Sequence, residues 1–165
     1  MNQLAEGVRA PDFELKTIDG RGFRLSHALG TGPVVLAFYK ASCPTCQFTF
    51  PYLQRIFERR GNVSAARLLG ISQDETAETE ELVDRLGISF DVLIDDHPYE
   101  VSASYGLEYV PAIFAIDTQG IVQVSDYGFS KAALSSVATI LAENAGVESV
   151  PIFSPDDGIP ATRPG

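Results

Sequence analysis

Hydrophobic and polar residues alternate along the chain in short blocks, and the period of the pattern changes from block to block. Residues 12–17 and 21–25 have strand propensity and flank the turn-forming pair Asp19-Gly20, so they predict an N-terminal β-hairpin. The next block, Val34–Tyr39, is continuously apolar and short enough for a strand that is covered on both faces. We expect this block to be the central strand of a parallel or mixed sheet.

A helix is predicted directly after this strand, from about Pro44 to Arg60. Its apolar residues recur at steps of four, three and four and therefore share one helix face: Cys46, Phe50, Leu53 and Phe57. Gly61 is predicted to end the helix, because glycine readily adopts the left-handed conformation found at helix ends.

The middle of the chain contains fewer clear signals. A second strand is predicted over residues 68–71, followed by a helix with Thr76 as its cap and Gly87 at its end. Residues 91–94 are interpreted as the start of an insertion that leads to Pro111. The alternation of strands and helices therefore continues through residue 87, and a long connection then leads to Pro111.

The last third of the domain predicts a second hairpin and a final helix. Residues 112–116 and 121–124 form the hairpin around the turn at 117–120, and Ser130 is the predicted helix cap. The helix is indicated by an apolar stripe at Leu134, Val137, Ala138 and Leu141. The element order predicts an α/β domain with a mixed central sheet flanked by helices.

Length and composition indicate one globular domain followed by a tail. The chain has 165 residues, 45% of them hydrophobic, which suits a single core over residues 1–149. Residues 150–165 contain four prolines and two glycines and are predicted to form an extended tail.

Charge and hydropathy restrict the partners. A formal net charge of −10 argues against a nucleic-acid partner, since such binding relies on clustered Lys and Arg. Residues 1–10 contain no apolar signal-peptide core, and no apolar run reaches membrane-spanning length. We therefore expect a cytoplasmic location without a membrane segment.

The candidate chemistry lies in Cys43-Pro44-Thr45-Cys46, which contains the two cysteines of the chain. The positive end of a helix stabilises a thiolate, so Cys43 is the predicted nucleophile, with Pro44 suited to the first helical position. Cys46 lies on the apolar face and is the predicted resolving thiol. Pro44 and Thr45 contribute to the reduction potential. Lys40 either stabilises the thiolate or is a solvated lysine at a strand end.

Two alternatives to dithiol chemistry have weaker support. Zinc normally takes four ligands, but His27 and His97 lie far apart in the sequence and no further cysteine exists, so we expect no metal and no other cofactor. A copper site of Cys43, Cys46 and His97 is a variant of the same alternative. The acidic stretch 74–81 would be the recognition surface of a non-catalytic binding module, although such stretches usually begin a solvated helix.

Several short motifs resemble thioredoxin-like redoxins related to the alkyl hydroperoxide reductase and thiol-specific antioxidant family. They are Ala10-Pro11-Asp12-Phe13, Cys43-Pro44-Thr45-Cys46, Tyr105-Gly106 with Val110-Pro111, and Ile116-Asp117 with Gly120. The resemblance implies a thioredoxin fold with an insertion before the cis-proline strand. It also implies that Pro111 is cis and faces the nucleophile, and that Val110 offers its backbone edge to an extended substrate.

The implied function is a thiol-disulfide oxidoreductase in cell redox homeostasis, in which Cys43 attacks and Cys46 resolves. Its partners would be a protein or small-molecule disulfide and a thiol donor such as a thioredoxin reductase system. A peroxiredoxin-like peroxidase with Cys43 as peroxidatic thiol is the alternative. Peroxidatic members carry threonine and proline where this chain has Lys40 and Leu36, and cytochrome-maturation reductases often carry glutamate where it has Thr49.

Overall fold

The computed structural model describes residues 2–60 and 65–165. The elements in chain order are β1 Glu14–Thr17, β2 Gly22–Arg24, α1 Leu25–Leu29, β3 Val34–Tyr39, α2 Pro44–Arg59, β4 Arg67–Ser72, α3 Thr76–Leu86, β5 Val92–Ile94, α4 Glu100–Ser104, β6 Ala112–Ile116, β7 Val122–Tyr127, β8 Phe129–Ser130, α5 Lys131–Asn144 and β9 Thr162–Arg163. The predicted stop at Gly61 lies outside the described residues.

The main sheet has seven strands in the order β2-β1-β5-β4-β3-β6-β7. Strand β3 pairs in parallel with β4 and antiparallel with β6, and all six of its residues are buried. The mixed sheet, the apolar inner strand and both predicted hairpins are confirmed. Because Phe38 pairs with Ala112, the end of β3 lies beside the start of β6.

Side chains of β3 point alternately to the two faces of the sheet, and helices cover both faces. Val35, Ala37 and Tyr39 face a core that is completed by α2, α3 and α5. Leu36 and Phe38 point the other way, into a second core that includes residues of α1 and α4. Helix α2 therefore packs its buried side chains directly against the central strand β3.

Two predictions for the middle of the chain are wrong. Residues 91–94 do not begin an insertion, since β5 pairs in parallel with β4 and antiparallel with β1 inside the sheet. A three-residue strand is too short to give a periodic signal. The cap of α3 is Glu75, and Thr76 is already helical, while Gly87 ends the helix with φ 64°.

The chain after residue 149 is extended and returns to the domain. Ile152, Phe153 and Ile159 pack against the core that contains residues of α2 and α5. The last strand, β9, pairs antiparallel with β8, with Phe129 opposite Arg163. Strands β8 and β9 form a separate two-stranded sheet, and the residues after β9 reach Thr45 in the first turn of α2.

Candidate active site

Cys43 is the N-cap residue of α2, directly after the loop that follows β3. Its backbone is extended, and Pro44 occupies the first turn of the helix, where a missing N–H leaves no hydrogen bond unmade. The Cys43 Sγ accepts the backbone N–H of Cys46 at 3.1 Å. The sulfur thus lies at the positive end of the helix dipole, within hydrogen-bond distance of a backbone amide of the first turn.

Cys46 has a different environment three residues further along the helix. Its side chain is 0% exposed and belongs to the core, whereas Cys43 is partly exposed, and both thiols are free. Burial raises the pKa of the Cys46 thiol, and its hydrogen bond with Cys43 and the charge of Asp74 act in the same direction. The two sulfurs are therefore unequal: one is accessible and the other is protected.

The loop before β6 faces the accessible sulfur. The peptide bond between Val110 and Pro111 is cis, as the family resemblance implies, and the Cys43 thiol donates to the Val110 carbonyl oxygen at 3.5 Å. The antiparallel pairing of β3 with β6 produces this closeness, because it joins two segments far apart in sequence. A second cis bond, between His97 and Pro98, was not predicted.

Two polar side chains that sequence reasoning missed hold the loop between β3 and α2. Asp74 Oδ2 accepts the backbone N–H of Ala41 at 2.6 Å, and Gln47 Nε2 donates to the Ala41 carbonyl at 2.6 Å. In the sequence, Asp74 is recognisable only as the first residue of the acidic stretch 74–81. Asp74 lies beside the loop after β3 because β3 and β4 are parallel and end at the same edge of the sheet. A prediction of this parallel pairing could have identified Asp74.

Lys40 and Thr45 have different surroundings. The Lys40 side chain is exposed, and its carbonyl accepts the Cys43 N–H at 3.2 Å. Its effect on the thiolate stays a prediction. Thr45 is buried, and its hydroxyl donates to the carbonyl oxygen of Pro164 at 2.6 Å. This contact brings the C-terminal tail to the active-site turn, which the sequence pattern did not indicate.

Residues 2–60 and 65–165 contain neither a cluster of metal-ligating side chains nor a helix that could cross a membrane. No three His, Cys, Asp or Glu side chains in these ranges come together in a group that could hold a metal ion. In the same ranges, no helix is both long and apolar enough to cross a membrane. The absence of a metal and of other cofactors stays a prediction.

A mixed sheet flanked by helices, with a dithiol at a strand-to-helix junction opposite a cis-proline, defines the thioredoxin-fold class. The comparison with protein families narrows this class. Residues 7–125 match the model of the AhpC/TSA family, and the chain belongs to that family.

The relatives include proteins named thiol-disulfide oxidoreductase and proteins named peroxiredoxin. The chain is 32% identical over 124 residues to thiol-disulfide oxidoreductase ResA of Geobacillus thermodenitrificans, covering 73% of this chain and 68% of that protein. It is 31% identical over 137 residues to peroxiredoxin Q of Oryza sativa subsp. japonica, covering 73% of this chain and 58% of that protein. The thioredoxin domain of a thiol-disulfide oxidoreductase from Bacteroides vulgatus has the same fold, with a TM-score of 0.72, 20% identity, and coverage of 84% and 99% of the two chains.

Proposed function

We propose that this protein is a thiol-disulfide oxidoreductase that works through Cys43 and Cys46. The observation that carries the proposal is the inequality of the two thiols. Cys43 Sγ accepts a helix N-terminal amide and is partly exposed, while Cys46 is buried behind it. The ResA relative supports the same activity.

The reaction proceeds by two thiol-disulfide exchanges. The Cys43 thiolate attacks one sulfur of the substrate disulfide, an S–S bond to Cys43 forms, and the second substrate sulfur leaves as a thiolate that takes up a proton. Cys46 then loses its proton and attacks Cys43 Sγ. The mixed disulfide breaks, the remaining substrate thiolate departs, and two electrons have moved from the cysteine pair to the substrate.

The substrate side of this reaction lies next to Val110. An extended substrate chain would hydrogen-bond along the Val110 backbone, beside the cis-proline Pro111. A protein disulfide would supply such a chain, whereas a small-molecule disulfide would need only access to the Cys43 sulfur. An external thiol donor, such as a thioredoxin reductase system, would regenerate the reduced pair. We propose a reducing compartment, the cytoplasm, in which substrate reduction is the favoured direction. Cell fractionation checks the compartment.

Insulin reduction in the presence of dithiothreitol tests the activity. We expect the wild-type chain to accelerate precipitation of the insulin B chain, and Cys43→Ser to abolish the acceleration. Gln119→Ala is the matched control, because Gln119 is an exposed residue in the turn between β6 and β7. Absence of turnover by wild-type protein with two titratable thiols would contradict the proposal.

Peroxide reduction is a second candidate, supported by the peroxiredoxin Q relative. Cys43 would attack the peroxide, releasing water or an alcohol and forming a sulfenic acid, which Cys46 would convert to a disulfide with loss of water. Lys40 stands where peroxidatic members carry threonine, so we expect slow reaction. Stopped-flow mixing with hydrogen peroxide decides, and a rate no faster than that of free cysteine eliminates this candidate.

A further inference from the structure

The last residues of the chain follow a defined path along the domain. Strand β9 pairs with β8, and the Lys131 N–H donates to the Ala161 carbonyl at 2.9 Å just before it. Gly128 has φ 71°, and a Cβ added there would lie 2.5 Å from the Arg163 carbonyl oxygen. The absence of a side chain at Gly128 is therefore what lets the tail backbone approach the sheet so closely.

This path ends at the active-site turn and the cis-proline loop. The Thr45 hydroxyl donates to Pro164 at 2.6 Å. A Cβ added to Gly165 would overlap the carbonyl oxygen of Val110, the same oxygen that accepts the Cys43 thiol. The final residue thus packs directly against the backbone edge that faces the attacking sulfur.

We propose that residues 162–165 occupy the groove for an extended substrate chain, and that this segment must leave before a bulky disulfide reaches Cys43. The inference rests on the proposed oxidoreductase function for the position of the substrate. The tail is then an intramolecular competitor. It contacts Thr45 and Val110, which an incoming substrate chain would also have to approach.

The tail has a firm anchor and a weakly held end. Lys131 forms an ion pair with Asp157 at 2.8 Å, and the Phe153 ring packs 5.9 Å from that of Phe129. Beyond the anchor, Pro164 and Gly165 are exposed. Release of the end therefore breaks only the short β8–β9 pairing and a few contacts.

The anchor also makes the competition effective. Because the segment stays tethered next to the groove, its local concentration is on the order of millimolar even when it is released. Arg163 adds a contact to the closed arrangement, since its guanidinium carbon lies 4.9 Å from the centre of the Phe48 ring. A small reagent needs less of the groove than a protein disulfide does. Occupancy of the groove by the tail should therefore slow the reaction of Cys43 with a protein disulfide more than its reaction with a small reagent.

The experiment compares the full chain with a form that ends at Ala161. A tail that fills the groove in about nine of ten molecules lowers the rate with a bulky substrate about tenfold. We therefore expect truncation to raise the initial rate of insulin reduction about tenfold, and the rate of Cys43 alkylation by iodoacetamide less than about twofold. Gly165→Val, which keeps the length but cannot keep the close approach to Val110, should act in the same direction. Gln119→Ala, at an exposed position in the turn between β6 and β7 and outside the tail, is the matched control and should behave as wild type.

A peptide with the sequence of residues 158–165 provides the reverse test. Added in excess to the truncated form, it should slow insulin reduction again and shift the backbone amide signals of Thr45 and Val110 toward their full-length positions in NMR spectra. Equal insulin rates for the full and truncated forms, with unchanged amide signals, would overturn the proposal. If neither form reduces insulin, the oxidoreductase function fails, and the amide signals alone decide whether the tail fills the groove.

Discussion

Replacement of Phe129 by alanine tests how the active-site helix and the tail are held to the sheet. The Phe129 side chain is 0% exposed, and its ring centre lies 4.9 Å from that of Phe48, 5.5 Å from Tyr52 and 5.9 Å from Phe153. Removal of a buried phenylalanine ring destabilises a protein by about 3–5 kcal/mol, through lost burial and the cavity left behind. Its neighbours come from α2 and the tail, so we expect a loss of about 4 kcal/mol.

Urea unfolding followed by circular dichroism measures this loss. With a slope of about 2 kcal/mol per molar urea, the midpoint should fall by about 2 M. Phe129→Leu keeps most of the volume and should cost less than about 1.5 kcal/mol. Val147→Ala, at a position 41% exposed, should stay within about 0.5 kcal/mol of wild type. A loss below about 1 kcal/mol for Phe129→Ala would refute the packing argument.

Three further predictions concern the helix cap, the thiols and the tail anchor. Ser130→Ala removes the side-chain cap of α5 and should lower the free energy of unfolding by about 1 kcal/mol in the same urea assay. Limited iodoacetamide should modify Cys43 and spare Cys46, whose pKa burial raises, as read by peptide mass spectrometry; equal labelling would contradict this. The hydrogen bond from Lys131 lowers the pKa of Asp157 below 3.8, so the stabilisation is present above pH 3.8 and is lost as pH falls through the lowered pKa. Tail amide signals in NMR spectra should therefore change below pH 3.8, and no change there would contradict the anchor.

The part of the site that is local in sequence could be predicted from the sequence. Val34–Tyr39 is apolar at every position because both faces of the strand are covered. This pattern predicts an inner strand of the sheet. The strand-to-helix junction then follows, and the helical period alone separates an accessible Cys43 from a buried Cys46. The cis peptide bond before Pro111 could be predicted only from the family resemblance.

The remainder depends on contacts that leave no pattern in the sequence. Asp74 reaches the active-site loop because two parallel strands end at one edge, and an aspartate among other acidic residues gives no sign of this. The tail is held in place by hydrogen bonds to its backbone groups, such as the Pro164 carbonyl, which accepts a hydrogen bond from the Thr45 hydroxyl. Backbone carbonyls occur at every residue, so neither hydropathy nor composition could identify the one that is used.

Trapping of the mixed disulfide tests the roles of the two cysteines most directly. Reduced Cys46→Ala and Cys43→Ala proteins are mixed with a peptide disulfide, quenched with acid, and analysed by intact mass and peptide mapping. We predict that Cys46→Ala accumulates a stable peptide adduct on Cys43, because no second thiol releases it, and that Cys43→Ala accumulates almost none. An adduct on Cys46 forming as fast as the one on Cys43, or no adduct in either protein, would contradict the assignment of attacking and resolving thiols.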